Sequence, residues 1–567
     1  ASSAGFLELR VASGGPVEFL VSHELVLGAA EYEHGGTVAL HVEGGWAAGT
    51  PDPQSLVGRH EPGVRFAIAA AEASTLDRLG GDELLHEDGT RRSGAYVVIA
   101  FRPVTRCGVV MLGVRDGNAA LPGAVLAARR EFAESGRAAH PPALTLGLRH
   151  DSEPGVARLD DILPWFNHNA AIYFSAPHGL EQYGGAAWGV RDVTQGSLEW
   201  LLTQGRHGTI RRVLEAVFGQ QYAHDGTWPQ WFMHDPYRFI QQAHSHGDVC
   251  FWPVKALCDY VEAADDPGFM QQAVGYTDAG RCCATGPEES YWEHCDKVVA
   301  HAESRFVAGT ALVNYGDGDW DDTLQPADPA MRTRMVSAWT VALAYQTFRQ
   351  LAEIATRAGE DRRARHLRDL LTRIERDVRA WLMPGGIIAG FVVTEGADRR
   401  PLLHPEDRVT RIRYRLLPMT RSIIAGLFTP EEARRHLEII RRELRYPDGV
   451  RLMSEPAAYR GGLEQWFKRA DTAANVGREI GLQYVHAHIR YAEALARVGE
   501  AEELWHALQV VNPVALSAVV PNAAPRQSNV YFSSSDADFP DRYAASARWG
   551  ELRDGRVLAR GGWRLYS

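Results

Sequence analysis

Seven consecutive residues, Gly316-Asp317-Gly318-Asp319-Trp320-Asp321-Asp322, gather four carboxylates around one indole in a stretch softened by glycine. Aromatic faces and carboxylates that accept hydroxyl hydrogens are what proteins use to hold sugars. Cleavage of a glycosidic bond needs in addition a carboxylic acid to protonate the leaving oxygen. The stretch offers both. Asp317, Asp319 and Asp321 also alternate as in an EF-hand. That loop, however, wants Gly at its sixth position and Glu at its twelfth, where Asp322 and Asp328 stand, so calcium is the weaker reading.

A second cluster is Arg191-Asp192, set among Gly and Trp. It is either a structural ion pair or part of a ligand site, and its aromatic, irregular surroundings favour the ligand site. His224, His234, His244 and His246 match no common zinc spacing, so no metal is expected and these are read as core or supporting histidines. Trp228, Trp231 and Trp252 are equally sugar platforms or core anchors. The basic stretch Arg408–Arg421, with Arg411, Arg413 and Arg415, is most simply a solvated face or a set of ion pairs.

The elements that must position these residues change character along the chain. Short apolar runs separated by Gly, Pro and Asp (Phe6–Val11, Thr37–Val42, Val64–Ala71, Ala95–Phe101, Gly108–Leu112) predict an antiparallel β-sandwich. Pro122 to Ser135 has helical composition, and Pro141-Pro142 follows, which suggests a linker. From about Pro164 onward, apolar residues recur every three or four positions in Arg332–Ala358, Asp361–Trp381, Pro430–Leu444 and Gly481–Val498, predicting a large helical domain. Thr429-Pro430-Glu431-Glu432 is a helix start, with Thr as cap, Pro in the first turn and acids at the positive end. The loops before Arg332, dense in Trp, Tyr, His, Asp and Gly, are richer than a purely structural helical domain needs. Ser517 to Ser567 returns to strand and turn character.

The chain has 567 residues and a formal charge of −11, with its basic residues dispersed, so it can fill several cores and is a poor partner for nucleic acid. No apolar run reaches membrane-spanning length, and no membrane partner is expected. Cys107, Cys250, Cys258, Cys282, Cys283 and Cys295 contain no CxxC pair, which fits a reducing compartment. The first residues carry no signal-peptide pattern, so a cytoplasmic location is expected. There is no initiating Met and the chain stops abruptly after Tyr566-Ser567; one or both ends are expected to belong to a larger protein.

Pro177 to Tyr183, running on to Trp188-Gly189-Val190-Arg191-Asp192-Val193-Thr194-Gln195-Gly196, together with the Asp-Trp-Asp-Asp element and the order sandwich, linker, helices, strands, resembles glycoside hydrolase family 94. Further likeness lies in Trp228 to Met233, Ser245-His246-Gly247-Asp248, Gly477 to Gly481, Val485 to His488 and Ser533 to Ala537, and points within the family to members acting on β-1,2-glucans. It spans most of 150–567 and is weak over the sandwich. The resemblance implies a multidomain α+β protein: a β-sandwich at 1–120, linker helices at 121–155, an (α/α)6 barrel at 156–510 and a C-terminal β segment at 511–567.

By the same resemblance the reaction is inverting, reversible phosphorolysis of β-1,2-linked glucooligosaccharides to α-glucose 1-phosphate. Inorganic phosphate is then co-substrate, no cofactor is required, and the protein acts as a monomer or homodimer. Asp322 is implied as general acid. Arg191, Asp192, Trp320, Glu479, Tyr183 and Gln195 would hold sugar, and His486, His488, Ser533, Ser534 and Arg526 would lie at the phosphate. One departure is Ala186, where the family's cellobiose enzymes carry a phosphate-binding Arg, so another basic residue must serve. Phosphate is itself the nucleophile, so one catalytic carboxylate suffices. Two rivals stay open: an inverting β-glucoside hydrolase using Asp536, Asp538 or Glu479 as base, and a noncatalytic carbohydrate-binding protein.

Overall fold

The computed structural model describes residues 2–24, 35–92, 96–115, 117–135, 150, 152–175, 187–234, 238–395, 398–459, 461, 466–474, 480, 483–512, 518–519, 534–537 and 557–560. The chain divides into two compact units, 1–143 with 182–186, and 144–181 with 187–567.

The first unit holds β1 (Ser2–Arg10), β2 (Leu20–Glu24), β3 (Gly36–His41), β4 (Trp46–Pro51), β5 (Arg65–Ala70), β6 (Leu76–Gly80), β7 (Tyr96–Phe101) and β8 (Arg106–Val114). They form a five-stranded antiparallel sheet, β1-β8-β5-β4-β3, and a three-stranded one, β2-β7-β6. Ile68, Ala70, Val97, Ile99, Phe101 and Val109 pack between the sheets. The alternate residues of the larger sheet, among them Ala67, Ala69, Val110 and Leu112, are covered by helix Leu121–Ser135 through Leu121, Val125, Ala128 and Phe132. Both faces of β5 and β8 are thus buried, which is why they are continuous apolar runs rather than alternating ones. Gly108 permits the close approach of this helix, because a Cβ there would strike the Phe132 ring. Arg129 ties the same helix down, donating from Nε to the Ala70 carbonyl (2.8 Å) and from Nη2 to Gly44 and Gly45 (3.0 Å each).

In the second unit, helices Gly196–Thr203, Phe251–Ala264, Ala338–Arg357, Leu416–Ile424 and Val485–Val498 pack each on the next. Arg490 of the last reaches Glu199 of the first (Nη2–Oε1 2.8 Å), closing a ring. Helices His207–Phe218, Asp361–Asp377, Pro430–Ile439 and Ala501–Val510 each follow a ring helix after a short turn and pack back on it. Helix Ala338–Arg357 is buried almost all round, whereas Asp361–Asp377 buries only Ala364, Leu367, Leu370, Leu371, Ile374 and Asp377, as a helix with one apolar stripe does. Thr429 caps its helix as expected: Glu432 N donates to Thr429 Oγ1 (3.2 Å) and Thr429 N to Glu432 Oε2 (2.8 Å). At the C-terminal end, Ser534–Ala537 pairs with Gln483–Tyr484 and with Val557–Arg560.

Candidate active site

Four of the five ring helices are followed by one that returns the chain, and residues at the starts of all five converge on one loop. Gln195, Asp248, Ser337, Arg415 and Tyr484 lie at or just before these five starts, and the loop 316–322 threads among them. The loop is anchored by its main chain: Tyr315 N donates to Met335 O (2.7 Å), Gly316 N to Arg332 O (3.0 Å), and Gly247 N to Gly318 O (2.9 Å). Gly318, at φ 152°, takes a conformation that a side chain would strain.

The four carboxylates have separate fates. Asp317 pairs with Arg332 (2.7 Å). Asp319, fully buried, is gripped by both terminal nitrogens of the equally buried Arg415 (Nη2–Oδ1 2.9 Å, Nη1–Oδ2 3.1 Å) and accepts from Ser337 Oγ (2.8 Å). Asp321 accepts no solvent contact either, and lies 3.8 Å from Arg415. Burial opposes the charge on Arg415, but the two aspartates outweigh it and hold the guanidinium protonated above its ordinary range. Asp322 heads a single turn, Asp322–Leu324, whose Thr323 and Leu324 are buried anchors, and its own side chain remains 32 % exposed.

Beside Asp322 stands His246, with Nδ1 3.8 Å from Oδ1. Burial, aided by Arg191, lowers the His246 pKa, so the ring is neutral at pH 7. Its partners fix the tautomer: Nδ1–H donates to the Asp319 carbonyl (3.0 Å) and Nε2 accepts from the Gln325 amide (2.7 Å). On the other side Arg469 Nη1 lies 4.0 Å from Asp322 Oδ2. Trp320 is held edge-on by Tyr484 and His486, at 5.1 Å from each ring.

The other expected site residues are distributed unevenly. Arg191 does not pair with Asp192. It is buried against the fully buried Asp248 (3.2 Å), which also accepts from Trp252 Nε1 (3.0 Å), so this arginine braces two helix starts. Asp192 beside it is half-buried. Gln195 donates to the Arg191 carbonyl (3.1 Å) and, with Trp320, Trp339, Arg421, His486 and Arg490, lines a small cavity. His486 is buried, and burial first, then Arg490 and Arg421, push its pKa well down. His488 departs from expectation. Nδ1 accepts from Val450 N (3.2 Å) and Nε2–H donates to the Ala507 carbonyl (2.8 Å), which leaves no ring nitrogen for phosphate. Ser534 lies opposite Tyr484 in the terminal sheet. Tyr183, Glu479, Arg526, Ser533 and the candidate base Asp538 lie outside the described residues.

Trp228 and Trp252 are fully buried core anchors. Among the described residues no group of three or more His, Cys, Asp or Glu is placed to hold a metal ion, and Asp317, Asp319 and Asp321 answer to arginines rather than to calcium. Sequence reasoning missed the bracing roles of Asp248, Ser337 and Arg415 and the placement of Arg469. Arg415 sits in the stretch read as a solvated face or a set of ion pairs; it forms a buried ion pair, and its partner is a carboxylate 96 positions away.

One carboxyl group presented beside an indole, on a loop anchored by a buried arginine clamp among the starts of the ring helices, is an arrangement suited to carbohydrate chemistry on an α-helical scaffold. The chain belongs to the Glycosyl hydrolase 94 superfamily, whose catalytic domain matches residues 200–532. It is 40 % identical over its whole length to a 1,2-beta-oligoglucan phosphorylase from Listeria innocua, of which it covers 51 %. It is 23 % identical over 67 % of its length to the cyclic beta-(1,2)-glucan synthase NdvB of Rhizobium meliloti, covering 13 % of that protein. The chain therefore spans about half the length of the first relative and less of the second. Among solved structures, a rhamnosidase from Klebsiella oxytoca with rhamnose bound aligns at TM-score 0.40 and 14 % identity over 87 % of this chain and 88 % of its own, too distant a likeness to bear on the site.

Proposed function

We propose that this chain carries the catalytic part of a phosphorylase that splits β-1,2-linked glucooligosaccharides reversibly and with inversion, giving α-glucose 1-phosphate. The observation that carries the reading is the partial exposure of Asp322: its neighbours Asp319 and Asp321 are buried against Arg415, while the Asp322 side chain stays 32 % exposed between His246 and Arg469. In the forward direction the Asp322 carboxyl gives its proton to the glycosidic oxygen. The C1–O bond to the departing chain breaks, and a phosphate oxygen bonds to C1 from the opposite face. Asp319 and Asp321, paired with Arg415, are not placed to activate water. The five helix N-termini around the loop turn their positive ends toward it, which suits phosphate. Both named relatives are β-1,2-glucan proteins, which supports that linkage.

The reading takes the helical unit as an (α/α)6 barrel and the first unit as its accompanying sandwich. Trp320, Asp192 and Gln195 are assigned to the sugar and His486 and Ser534 to the phosphate side, with no cofactor beyond phosphate. A cytoplasmic setting, as monomer or homodimer, is part of the same proposal. All six cysteines are free, and no helix among the described residues is long and apolar enough to cross a membrane.

The test is incubation with β-1,2-glucooligosaccharides with and without inorganic phosphate, measuring glucose 1-phosphate and free sugar together. Glucose 1-phosphate formed only with phosphate is the expected result. Sugar released equally without phosphate would replace the proposal by a hydrolase.

A further inference from the structure

Arg469 differs from the other arginines around the loop. Arg332, Arg415 and Arg191 each have a structural carboxylate within hydrogen-bonding or ion-pair distance, namely Asp317, Asp319 and Asp248. Arg469 Nη1 is shielded from solvent, makes no hydrogen bond to a described residue, and stands 4.0 Å from Asp322 Oδ2, while the side chain as a whole is 39 % exposed. Its position is not accidental to the loop. Lys468 N donates to Gln325 O (2.9 Å), Ala327 N to Trp466 O (3.0 Å), and Pro326 and Phe467 form an isolated antiparallel bridge, so residues 466–468 run alongside the segment 325–327 that leaves the Asp322 turn.

We propose that Arg469 is a ligand of the departing sugar, donating to a hydroxyl next to the scissile oxygen and so selecting the acceptor in the reverse direction. The inference rests on the phosphorylase reading. In an inverting displacement the acid and the nucleophile occupy opposite faces of the reacting ring. A guanidinium 4.0 Å from the acid's oxygen therefore lies on the leaving-group side, away from phosphate. When the proton has passed from Asp322 to the glycosidic oxygen, Asp322 is left as a carboxylate and Arg469 faces it. In synthesis the acceptor hydroxyl returns its proton to that carboxylate as its oxygen bonds to C1 and the C1–O bond to phosphate breaks. A donor held beside Asp322 aligns that hydroxyl. A role limited to pairing with Asp322 predicts little, because a half-exposed pair beyond hydrogen-bonding distance adds little stability.

The experiment compares the wild-type chain with Arg469→Met and Arg469→Lys. The acceptor KM is measured with α-glucose 1-phosphate and β-1,2-linked glucobiose by phosphate release, and the phosphate KM in phosphorolysis. Loss of a charge-assisted donor is expected to raise the acceptor KM about tenfold or more in Arg469→Met, and less in Arg469→Lys, with the phosphate KM unmoved. An unchanged acceptor KM, or a rise in the phosphate KM instead, overturns the inference. Circular dichroism checks the fold. If Arg469→Met is unfolded, Arg469→Lys decides alone, since it keeps the charge but loses the planar fork, and its acceptor KM must still rise. Wild-type protein that transfers nothing from glucose 1-phosphate would remove the phosphorylase reading and this inference with it, whereas active wild type with an indifferent Arg469 removes the inference alone.

Discussion

The described residues of the first unit bury only Thr75 and Asp82 among polar side chains, whereas the second buries Arg191, Asp248, Lys255, Asp319, Asp321 and Arg415 with many others. The sandwich is held by apolar faces whose requirement is volume and pattern, so its strands tolerate any residues that fill the space. The helical ring instead encloses charges that are stable only in company. Glu199 answers Arg490, Lys255 answers Asp259, and Arg415 answers Asp319. A buried pair adds little net stability over an apolar core, yet breaking one leaves an uncompensated charge. The difference teaches where the site belongs. A carboxyl group can be presented in one orientation only where its neighbours are fixed by directional, paired contacts.

The comparison is broken most severely at Asp322. Asp322→Asn keeps the shape and removes the proton, and turnover should fall roughly 10²–10⁴-fold without loss of folded structure, as read by initial rates and thermal unfolding. Retained turnover would return the acid role to another residue. Arg415→Met strands Asp319 in the interior and should cost about 3–5 kcal/mol of stability, measured by denaturant titration, along with most activity. Arg415→Lys should recover only part of this, because one ammonium cannot span both carboxylate oxygens.

A third prediction uses pH. Burial pushes His294, His436 and His488 of the helical unit from 6.5 down to about 4. Between those values the unfolded chain binds protons that the folded one refuses, so stability is full above pH 6.5 and declines as pH falls toward 4. The loss should be on the order of a few kcal/mol, followed by chemical denaturation at several pH values. A flat profile across that window would show that these histidines are accommodated when charged.

The smallest effect is expected in the sandwich. Gly108→Ala forces the Phe132 ring aside and should cost about 1–3 kcal/mol, with Phe132→Leu in the same chain recovering part of it. Turnover should be unaffected at temperatures where the variant is folded. A drop in kcat would mean that the apolar unit matters to the chemistry as well as to stability.

The strands Phe6–Val11, Thr37–Val42, Val64–Ala71, Ala95–Phe101 and Gly108–Leu112 were legible because apolar runs bounded by turn residues carry local information, and β1, β3, β5, β7 and β8 lie on them. Leu20–Glu24, Trp46–Pro51 and Leu76–Gly80 were not, since short strands with polar, glycine or alanine positions give weak local signals. Helix Pro430–Ile439 announced itself through its cap, and Ala338–Arg357 through its length. Within the site, the loop 316–322 stood out by composition alone. The pairing of Arg191 with Asp248 instead of Asp192 did not, because adjacent residues on one helical turn point apart. His488 looked as available as His486 until Val450 and Ala507 were seen to occupy both its nitrogens.

By itself the sequence determined the succession of strands and helices and the concentration of carboxylates around Trp320, because hydrophobic period, capping and composition act over a few residues. Only the tertiary structure decided which of four carboxylates is presented, which arginines are spent as braces and that Arg469 stands beside Asp322. Those outcomes depend on partners as far apart as Asp319 and Arg415, and the stability of a buried charge is set by the company the fold brings to it.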